Sequence, residues 1–189
     1  MLQKPKKLPD RPNFSCGPCV KRPGWSLENL KTLDLLGRSH RSKICINSLN
    51  DVILLTKETL EIPEDFKVAI VPGSNTGAYE MALWSMIGPL PVDALAWETF
   101  GSCWVDDLKN QLKINDLRVH KAEYGSIPDL SLVSDNTDIC FTWNGTTSGV
   151  KVPNADWISE KREGLTFCDA TSAIYSQELE WKKIDVATF

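Results

Sequence analysis

The chain has 189 residues, of which 42% are hydrophobic and 24% are charged, values that are ordinary for a globular domain. Its formal net charge of −4 gives no electrostatic footprint for nucleic acid. No apolar stretch approaches transmembrane length, and the basic N-terminus lacks the apolar run of a secretory signal, so we expect a cytoplasmic protein with neither membrane nor nucleic-acid partners.

The N-terminal third of the chain is predicted to be an arm followed by helices. Residues 1–12 are basic and interrupted by prolines, and we expect a solvated arm. A short helix is predicted over residues 26–36, because Ser26 suits an N-cap and Gly37 suits a terminator. A longer helix follows over residues 47–60.

The remainder alternates apolar strand runs with helical stretches. A strand over residues 67–71 leads through a sharp turn into a helix over residues 78–87. Then come a strand, a helix and four more strands, over residues 94–97, 105–112, 117–121, 138–143, 165–168 and 185–189. This alternation predicts an α/β fold with a largely parallel sheet.

Cysteine spacing raises the question of a metal or redox site. Cys16 and Cys19 form a C-x-x-C pair, which is found in zinc sites and redox motifs. A structural zinc site takes about four ligands, but there is no second pair, and His40 and His120 are the only histidines. We therefore expect no metal and six reduced thiols.

The turn PGSNTGA is a candidate phosphate site. Gly73 and Gly77 permit a tight turn, while Ser74, Asn75 and Thr76 offer donors beside the free N–H groups of a new helix. The spacing matches neither the Walker loop nor the dinucleotide fingerprint. A simple strand-to-helix turn would have the same composition, so this motif alone leaves both readings open.

Polar residues also follow two later strands at the predicted carboxyl edge of the sheet. Asp169 ends the apolar run LTFC, where α/β folds place ligands, although it could also cap the next segment. Thr146, Thr147 and Ser148 offer hydroxyls after CFTW, although ordinary turn chemistry would use them too.

An aromatic residue and a basic loop complete the candidate set. Trp104 follows the strand ALAWE and either stacks on a planar ring or belongs to the core, which is the default for any one of seven tryptophans. Arg38, His40 and Arg41 cluster in GRSHRS, where arginine suits carboxylate or phosphate binding; a solvated basic turn is the alternative.

Taken in order from Asn13, these stretches resemble the phosphoserine aminotransferases, a class V family of fold-type-I pyridoxal-phosphate enzymes. The matching segments are NFSCGPC with RPGW, GRSHRS, VPGSNTGAYEMALW, WETFGSCWVDDL, FTWNGTTSGV, LTFCDATSAI and IDVATF. The resemblance implies that residues 13–189 form an incomplete cofactor-binding large domain, with a seven-stranded-type, largely parallel sheet flanked by helices. It implies that the C-terminal small domain is absent.

The resemblance also implies an activity and roles for residues. A cytoplasmic homodimer would transfer an amino group between L-glutamate and 3-phosphohydroxypyruvate, making O-phospho-L-serine in serine biosynthesis with pyridoxal 5'-phosphate as cofactor. The resemblance assigns His40 and Arg41 to substrate binding. The cofactor-binding residues would be Asn75, Thr76, Trp104, Thr146 and Asp169, with Ser74 assisting.

The lysine that forms the Schiff base in this family follows the strand corresponding to residues 185–189, usually after a glutamine. Lys182 and Lys183 precede that strand and cannot replace it. The predicted strand also closes at Phe189 with its faces and edge uncovered. We therefore expect a fragment that lacks its catalytic lysine and is inactive alone.

Two other functions remain open from the sequence. A related class V enzyme, such as an alanine–glyoxylate aminotransferase or a cysteine desulfurase, would share the cofactor motifs. GRSHRS, with its basic pair, favours the phosphorylated substrate. The other alternative is a non-catalytic α/β module that binds a phosphorylated ligand.

Overall fold

The computed structural model describes residues 6–7, 23–31 and 33–189, which leaves Cys16, Cys19 and most of the predicted arm outside the described residues. The chain divides into two compact units, Met1–Asn50 and Asp51–Phe189. Within the described residues, no helix combines the length and apolarity needed to cross a membrane.

The first unit contains α1 (Glu28–Lys31) and the start of α2 (Lys43–Thr59). The helix predicted over residues 26–36 is therefore too long. Asp34 and Gly37 have φ angles of 41° and 75°, in the left-handed region that an α-helix does not use. The Arg38 guanidinium binds the Asp34 carboxylate at 2.8 Å across the resulting turn.

The second unit is built on a five-stranded sheet in which all strands are parallel. The strands are β1 (Val92–Ala96), β2 (Leu117–Lys121), β3 (Asp138–Thr142), β4 (Thr166–Asp169) and β5 (Val186–Thr188). Their order is β2-β1-β3-β4-β5. The predicted parallel α/β fold is confirmed, and five strands of the predicted seven-stranded type lie in the described residues.

Two helices of this unit begin earlier than predicted. The helix α3 (Ser74–Met86) absorbs most of the predicted turn. The helix α4 (Thr99–Asp106) continues into a π-helical turn, Asp107–Gln111. The Glu98 side chain, which accepts the Gly101 N–H at 2.7 Å, caps α4. Glutamate is not among the usual N-caps, so the sequence pattern gives no sign that the helix begins here and the predicted start is too late.

The strand predicted over residues 67–71 is wrong. The segment is apolar, but the structure assigns it to no strand, and Ile70 is 56% exposed. A strand forms only where its backbone groups pair with a neighbour, and none of the described strands pairs with these residues. Apolar composition alone therefore gave a false strand.

Apolar side chains cover both faces of the sheet, as parallel sheets require. One face buries Leu95, Ile139 and Phe141. The other buries Cys140 and Phe167 against α3 and α4. Burial raises the pKa of the Cys140 thiol, and likewise that of the fully buried Cys168 on the opposite face, so both remain neutral thiols.

Candidate functional site

The carboxyl edge of the sheet changes from apolar to polar on the face covered by α3 and α4. In the strand register, Thr142 is paired with Asp169, and Asp169 with Thr188. Because paired residues of parallel strands share a face, these three side chains form a row beyond Phe167. All three are buried, and the hydroxyls of Thr142 and Thr188 have no hydrogen-bond partner among the described residues.

Asp169 is the centre of this row. Its Oδ2 accepts the indole N–H of Trp104 at 3.1 Å, which joins the end of β4 to α4. Its Oδ1 accepts both the backbone N–H of Thr171 at 3.1 Å and the Thr171 hydroxyl at 2.7 Å. One oxygen therefore organises the following turn, as the capping alternative anticipated. The other oxygen, Oδ2, can accept a second hydrogen bond beside the one from Trp104.

Trp104 is packed into the core as well as bonded to Asp169. Its side chain is 5% exposed, and its ring lies 4.5 Å from the ring of Tyr79, with the planes inclined by 35°. Trp104 is therefore part of the core, as the second of the two interpretations of this residue proposed. With so little surface exposed, this indole can stack on a ligand ring only if neighbouring side chains move.

The start of α3 has the geometry of an anion site. Gly73 adopts a φ of 94° and Ser74 a φ of 61°, which turns the chain sharply into the helix. A Cβ on Gly77 would lie 2.6 Å from the carbonyl oxygen of Pro72, so this approach requires glycine. No side chain in the described part of the chain caps the helix, and its first N–H groups are therefore available to an anion.

Asn75 and Thr76 both lie in the first turn of this helix. The Asn75 Oδ1 is buried and has no partner among the described residues, whereas Thr76 is exposed. Asn75 lies one helical turn before Tyr79, so it shares the face of α3 that contacts Trp104.

Thr146 lies in the loop after β3. Its hydroxyl shares a hydrogen bond with Ser172, whose hydroxyl also donates to Asn144 Oδ1 at 3.2 Å. Thr146 and Ser172 line a cavity of about 350 Å³. Ser172 follows Asp169 in the same loop, so Thr146 is tied to the segment that carries the carboxylate.

A cluster of hydroxyls around Glu98, at this edge of the sheet, was not predicted from the sequence. The hydroxyl of Thr147 donates to the buried Glu98 carboxylate at 3.1 Å and lies 3.4 Å from the hydroxyl of Tyr124. Hydrogen bonds with Thr147 and Thr99 lower the pKa of Tyr124. Tyr124 lies just after predicted strand 117–121, so its position at the carboxyl edge was a usable signal.

The predicted substrate residues His40 and Arg41 belong to the first unit, where both are exposed in turns between α1 and α2. The Arg41 backbone N–H bonds the Ser39 hydroxyl at 3.2 Å. Their part in substrate binding stays a prediction.

The structure brings two of the predicted cofactor residues, Trp104 and Asp169, into direct contact. Asn75 lies one helical turn before Tyr79, whose ring packs on Trp104, and Thr146 is hydrogen-bonded to Ser172, three residues after Asp169. Thr76 lies at the exposed start of α3. The roles of these residues in cofactor binding stay predictions.

Comparison with known proteins gives consistent results at two levels. The chain is 54% identical over 186 residues to a phosphoserine aminotransferase of Methanosarcina barkeri, and 53% identical over 186 residues to that of Methanosarcina mazei. Each alignment covers 98% of this chain and 50% of the relative. The chain thus spans about half the length of the curated relatives it matches. No protein-family model matches it.

Solved structures show the same fold. A phosphoserine aminotransferase of Cytophaga hutchinsonii superposes with a TM-score of 0.70 at 22% identity, covering 85% of this chain and 45% of that one. A phosphoserine aminotransferase of Trichomonas vaginalis, crystallised with bound pyridoxal phosphate, gives 0.67 at 17% identity and covers 79% of this chain and 46% of that one. The resemblance predicted from the motifs is therefore confirmed: over nearly its whole length this chain matches half of a phosphoserine aminotransferase, and it has the α/β fold of the fold-type-I aminotransferases.

Proposed function

We propose that this chain supplies the cofactor-binding edge of a phosphoserine aminotransferase. The complete protein would transfer an amino group between L-glutamate and 3-phosphohydroxypyruvate and so make O-phospho-L-serine. The 54% identity to the Methanosarcina barkeri enzyme supports this choice of substrates. The geometric observation that carries the proposal is the Trp104–Asp169 hydrogen bond at the carboxyl edge of a parallel sheet.

The residues at this edge fit pyridoxal 5'-phosphate. That cofactor presents a cationic ring N–H, a phenolic oxygen and a phosphate, each of which needs a polar partner. The edge offers the Asp169 carboxylate, two buried hydroxyls without described partners in Thr142 and Thr188, and an uncapped helix start at α3. Buried polar atoms require partners, so this set favours a polar ligand over an apolar one.

Asp169 would hold the ring nitrogen in its charged form. When bound, the cofactor supplies an electron-accepting ring to the substrate carbon from which a proton is removed. An anionic carboxylate beside the ring nitrogen keeps that nitrogen protonated and so maintains its capacity to accept electrons. The hydrogen bonds from Trp104 and Thr171 fix the carboxylate in place for this task.

The start of α3 would bind the cofactor phosphate. The N–H groups of its first turn would donate to the phosphate, and the positive end of the helix dipole favours an anion there. Asn75 and Thr76 add side-chain donors, with Ser74 assisting.

Thr146 and Trp104 would orient the cofactor ring. The Thr146 hydroxyl, now shared with Ser172, would donate to the phenolic oxygen. Trp104 would stack on the ring after a shift of the side chains that cover it, since it is 5% exposed as arranged here.

The basic pair His40 and Arg41 would bind the acidic groups of the substrate. Arginine suits this task because its planar fork makes paired hydrogen bonds to carboxylate or phosphate. Arg38 is the less suitable residue, since its guanidinium already binds Asp34.

The Schiff-base lysine would come from residues outside this chain. Lys182 and Lys183 lie in the 3₁₀ turn Trp181–Lys183 before β5, away from the carboxyl edge that carries Asp169. The Lys183 ammonium is bound to the Ile158 carbonyl at 2.7 Å. The resemblance also leads us to propose that the complete protein is a cytoplasmic homodimer.

The test is an assay of the complete protein with pyridoxal 5'-phosphate. Amino transfer from glutamate to 3-phosphohydroxypyruvate is expected, with phosphoserine measured directly. Transfer to glyoxylate without activity on the phosphorylated substrate would instead support an alanine–glyoxylate enzyme. Absence of any cofactor binding would leave the phosphate-binding module as the better description.

A further inference from the structure

Tyr79 lies directly behind the Trp104–Asp169 pair. It is a residue of α3 with no exposed surface, and its ring packs on the Trp104 indole, with 4.5 Å between the ring centroids. Its hydroxyl donates to the carbonyl oxygen of Phe167 at 3.3 Å, on the same strand as Asp169. Tyr79 therefore touches the indole through its ring and is fixed to β4 through its oxygen.

The hydroxyl of Tyr79 remains a neutral donor. Burial raises its pKa well above the usual value, and the neighbouring Cys140, Cys168 and Asp169 raise it further. A neutral phenol keeps its hydrogen bond to Phe167 across the pH range in which the protein works. The orientation of the Tyr79 ring is thus set by a permanent contact with the sheet.

The orientation of Trp104 matters because a single indole N–H must reach Asp169 Oδ2. The distance is 3.1 Å, and such a bond weakens steeply as its angle departs from linear. The Asp169 Oδ1 is held separately by Thr171, so among the described residues it is Trp104 that holds Oδ2. A rotation of the indole would release this oxygen.

We infer that Tyr79 is a positioning residue, which holds the Trp104 indole so that its N–H donates to Asp169 and thereby orients the carboxylate towards the cofactor. The consequence for the cofactor rests on the proposed function. The positioning of Trp104 by Tyr79 does not rest on the proposed function, and it can be measured without cofactor.

The first experiment measures hydrogen exchange of the Trp104 indole N–H in the complete protein, labelled with ¹⁵N-indole tryptophan. Trp104→Phe identifies the resonance by its loss. We expect Tyr79→Leu, which removes the ring, to speed exchange about tenfold. Tyr79→Phe, which removes only the hydroxyl, should speed it about threefold. Tyr175→Phe, at a tyrosine that is 67% exposed, is the matched control and should change nothing.

Unchanged exchange in a folded Tyr79→Leu protein would overturn the inference. If that variant does not fold, Tyr79→Phe decides, since it preserves the shape of the core; exchange as slow as in the unaltered protein would then count against us. A uniform rise at all the tryptophans, equal to a rise in global unfolding, would likewise reject a local positioning role.

The second experiment titrates the same proteins with pyridoxal 5'-phosphate and follows the visible circular dichroism of the bound cofactor. Tyr79→Phe should raise the Kd about fivefold and alter the dichroic band, whereas a purely structural role would lower only the Tm. If the unaltered protein binds no cofactor, the proposed function fails while the exchange result stands. If it binds, and Tyr79→Phe matches it in both the Kd and the band, only the present inference fails.

Discussion

At the scale of single residues, the carboxylate of Asp169 combines a structural and a chemical role. Oδ1 organises the turn through Thr171, and Oδ2 meets the Trp104 indole. The two readings that the sequence left open, a cap and a ligand partner, therefore describe different atoms of one side chain. For that reason, a substitution can remove the chemistry while a turn-forming oxygen is retained.

Asp169→Asn retains the Oδ1 acceptor but loses the negative charge, so the ring nitrogen would no longer be held protonated. We expect amino transfer by the complete protein to fall about 100- to 1000-fold. The Tm should also fall, because the new amide NH₂ would face the Trp104 indole N–H, which then has no acceptor. Asp169→Ala should be equally slow and less stable still. Steady-state kinetics and thermal unfolding measure both effects, with Asp65→Asn, at an exposed turn residue, as the control. Near-normal turnover of Asp169→Asn would refute the assigned role.

Part of this site could be predicted from the sequence, but Tyr79 and Glu98 could not. Asp169, Trp104 and the Thr146 loop were found because they follow strands that end at one edge. Tyr79 was missed because, inside a helix, an aromatic side chain is indistinguishable from ordinary core. Glu98 was missed because its capping role depends on burial under Thr147, which no local pattern encodes.

At the scale of elements, the turn into α3 depends on backbone geometry more than on side chains. Gly77→Ala would place a Cβ 2.6 Å from the Pro72 carbonyl oxygen and force the turn to open. We expect a loss of about 1–3 kcal/mol in the free energy of unfolding and a rise in the Kd for pyridoxal 5'-phosphate. Denaturant titration and cofactor titration of the complete protein measure the two effects.

The matched control for Gly77→Ala is Ala78→Gly, at the next position in α3. A glycine inside a helix lowers the free energy of unfolding by about 1 kcal/mol relative to alanine, and this substitution adds no atom that could collide at the turn. Ala78→Gly should therefore lose stability while binding the cofactor normally. Equal losses of binding in the two variants would show that stability, not turn geometry, controls the phosphate site.

Element prediction succeeded where hydrophobic pattern and partner agree. The strands β1 to β5 were all anticipated to within a few residues. Three of them, β1, β3 and β4, are buried along their whole length, whereas β2 and β5 are partly exposed. The false strand over residues 67–71 has an equally apolar sequence but lacks a described neighbour to pair with. Pairing is a property of distant residues, so a local pattern cannot supply it.

At the scale of the whole molecule, Asp93 links separate parts of the sheet. Its fully buried carboxylate accepts hydrogen bonds from Arg118 at 2.6 Å and from His120 at 2.8 Å, on β2. It also binds the Ser134 N–H and the Thr137 hydroxyl ahead of β3. Burial alone would raise the pKa of Asp93, but these hydrogen bonds and the Arg118 charge outweigh it and lower the pKa.

A carboxyl whose pKa is lower in the folded state stabilises the fold above its unfolded pKa of about 4 and loses that contribution as pH falls further. Asp93→Asn should therefore lower the free energy of unfolding by about 3 kcal/mol at pH 7, with a smaller difference from the unaltered protein at pH 3. Urea titrations at the two pH values measure this. Glu28→Gln, which removes an exposed ion pair with Lys31, should have no measurable effect. A pH-independent deficit in Asp93→Asn would contradict the assignment.

The buried thiols of Cys140 and Cys168 can report how often the interior of the sheet becomes accessible to a reagent. Both are free and lie on β3 and β4, with their ionisation suppressed by burial, whereas Cys103 on α4 is exposed. Alkylating reagents attack the thiolate, so each of these sulfurs can be modified only when the side chains that cover its face of the sheet move away. Mass spectrometry of their modification over time would thus measure how often each face opens, with the exposed Cys103 as the rapidly modified reference.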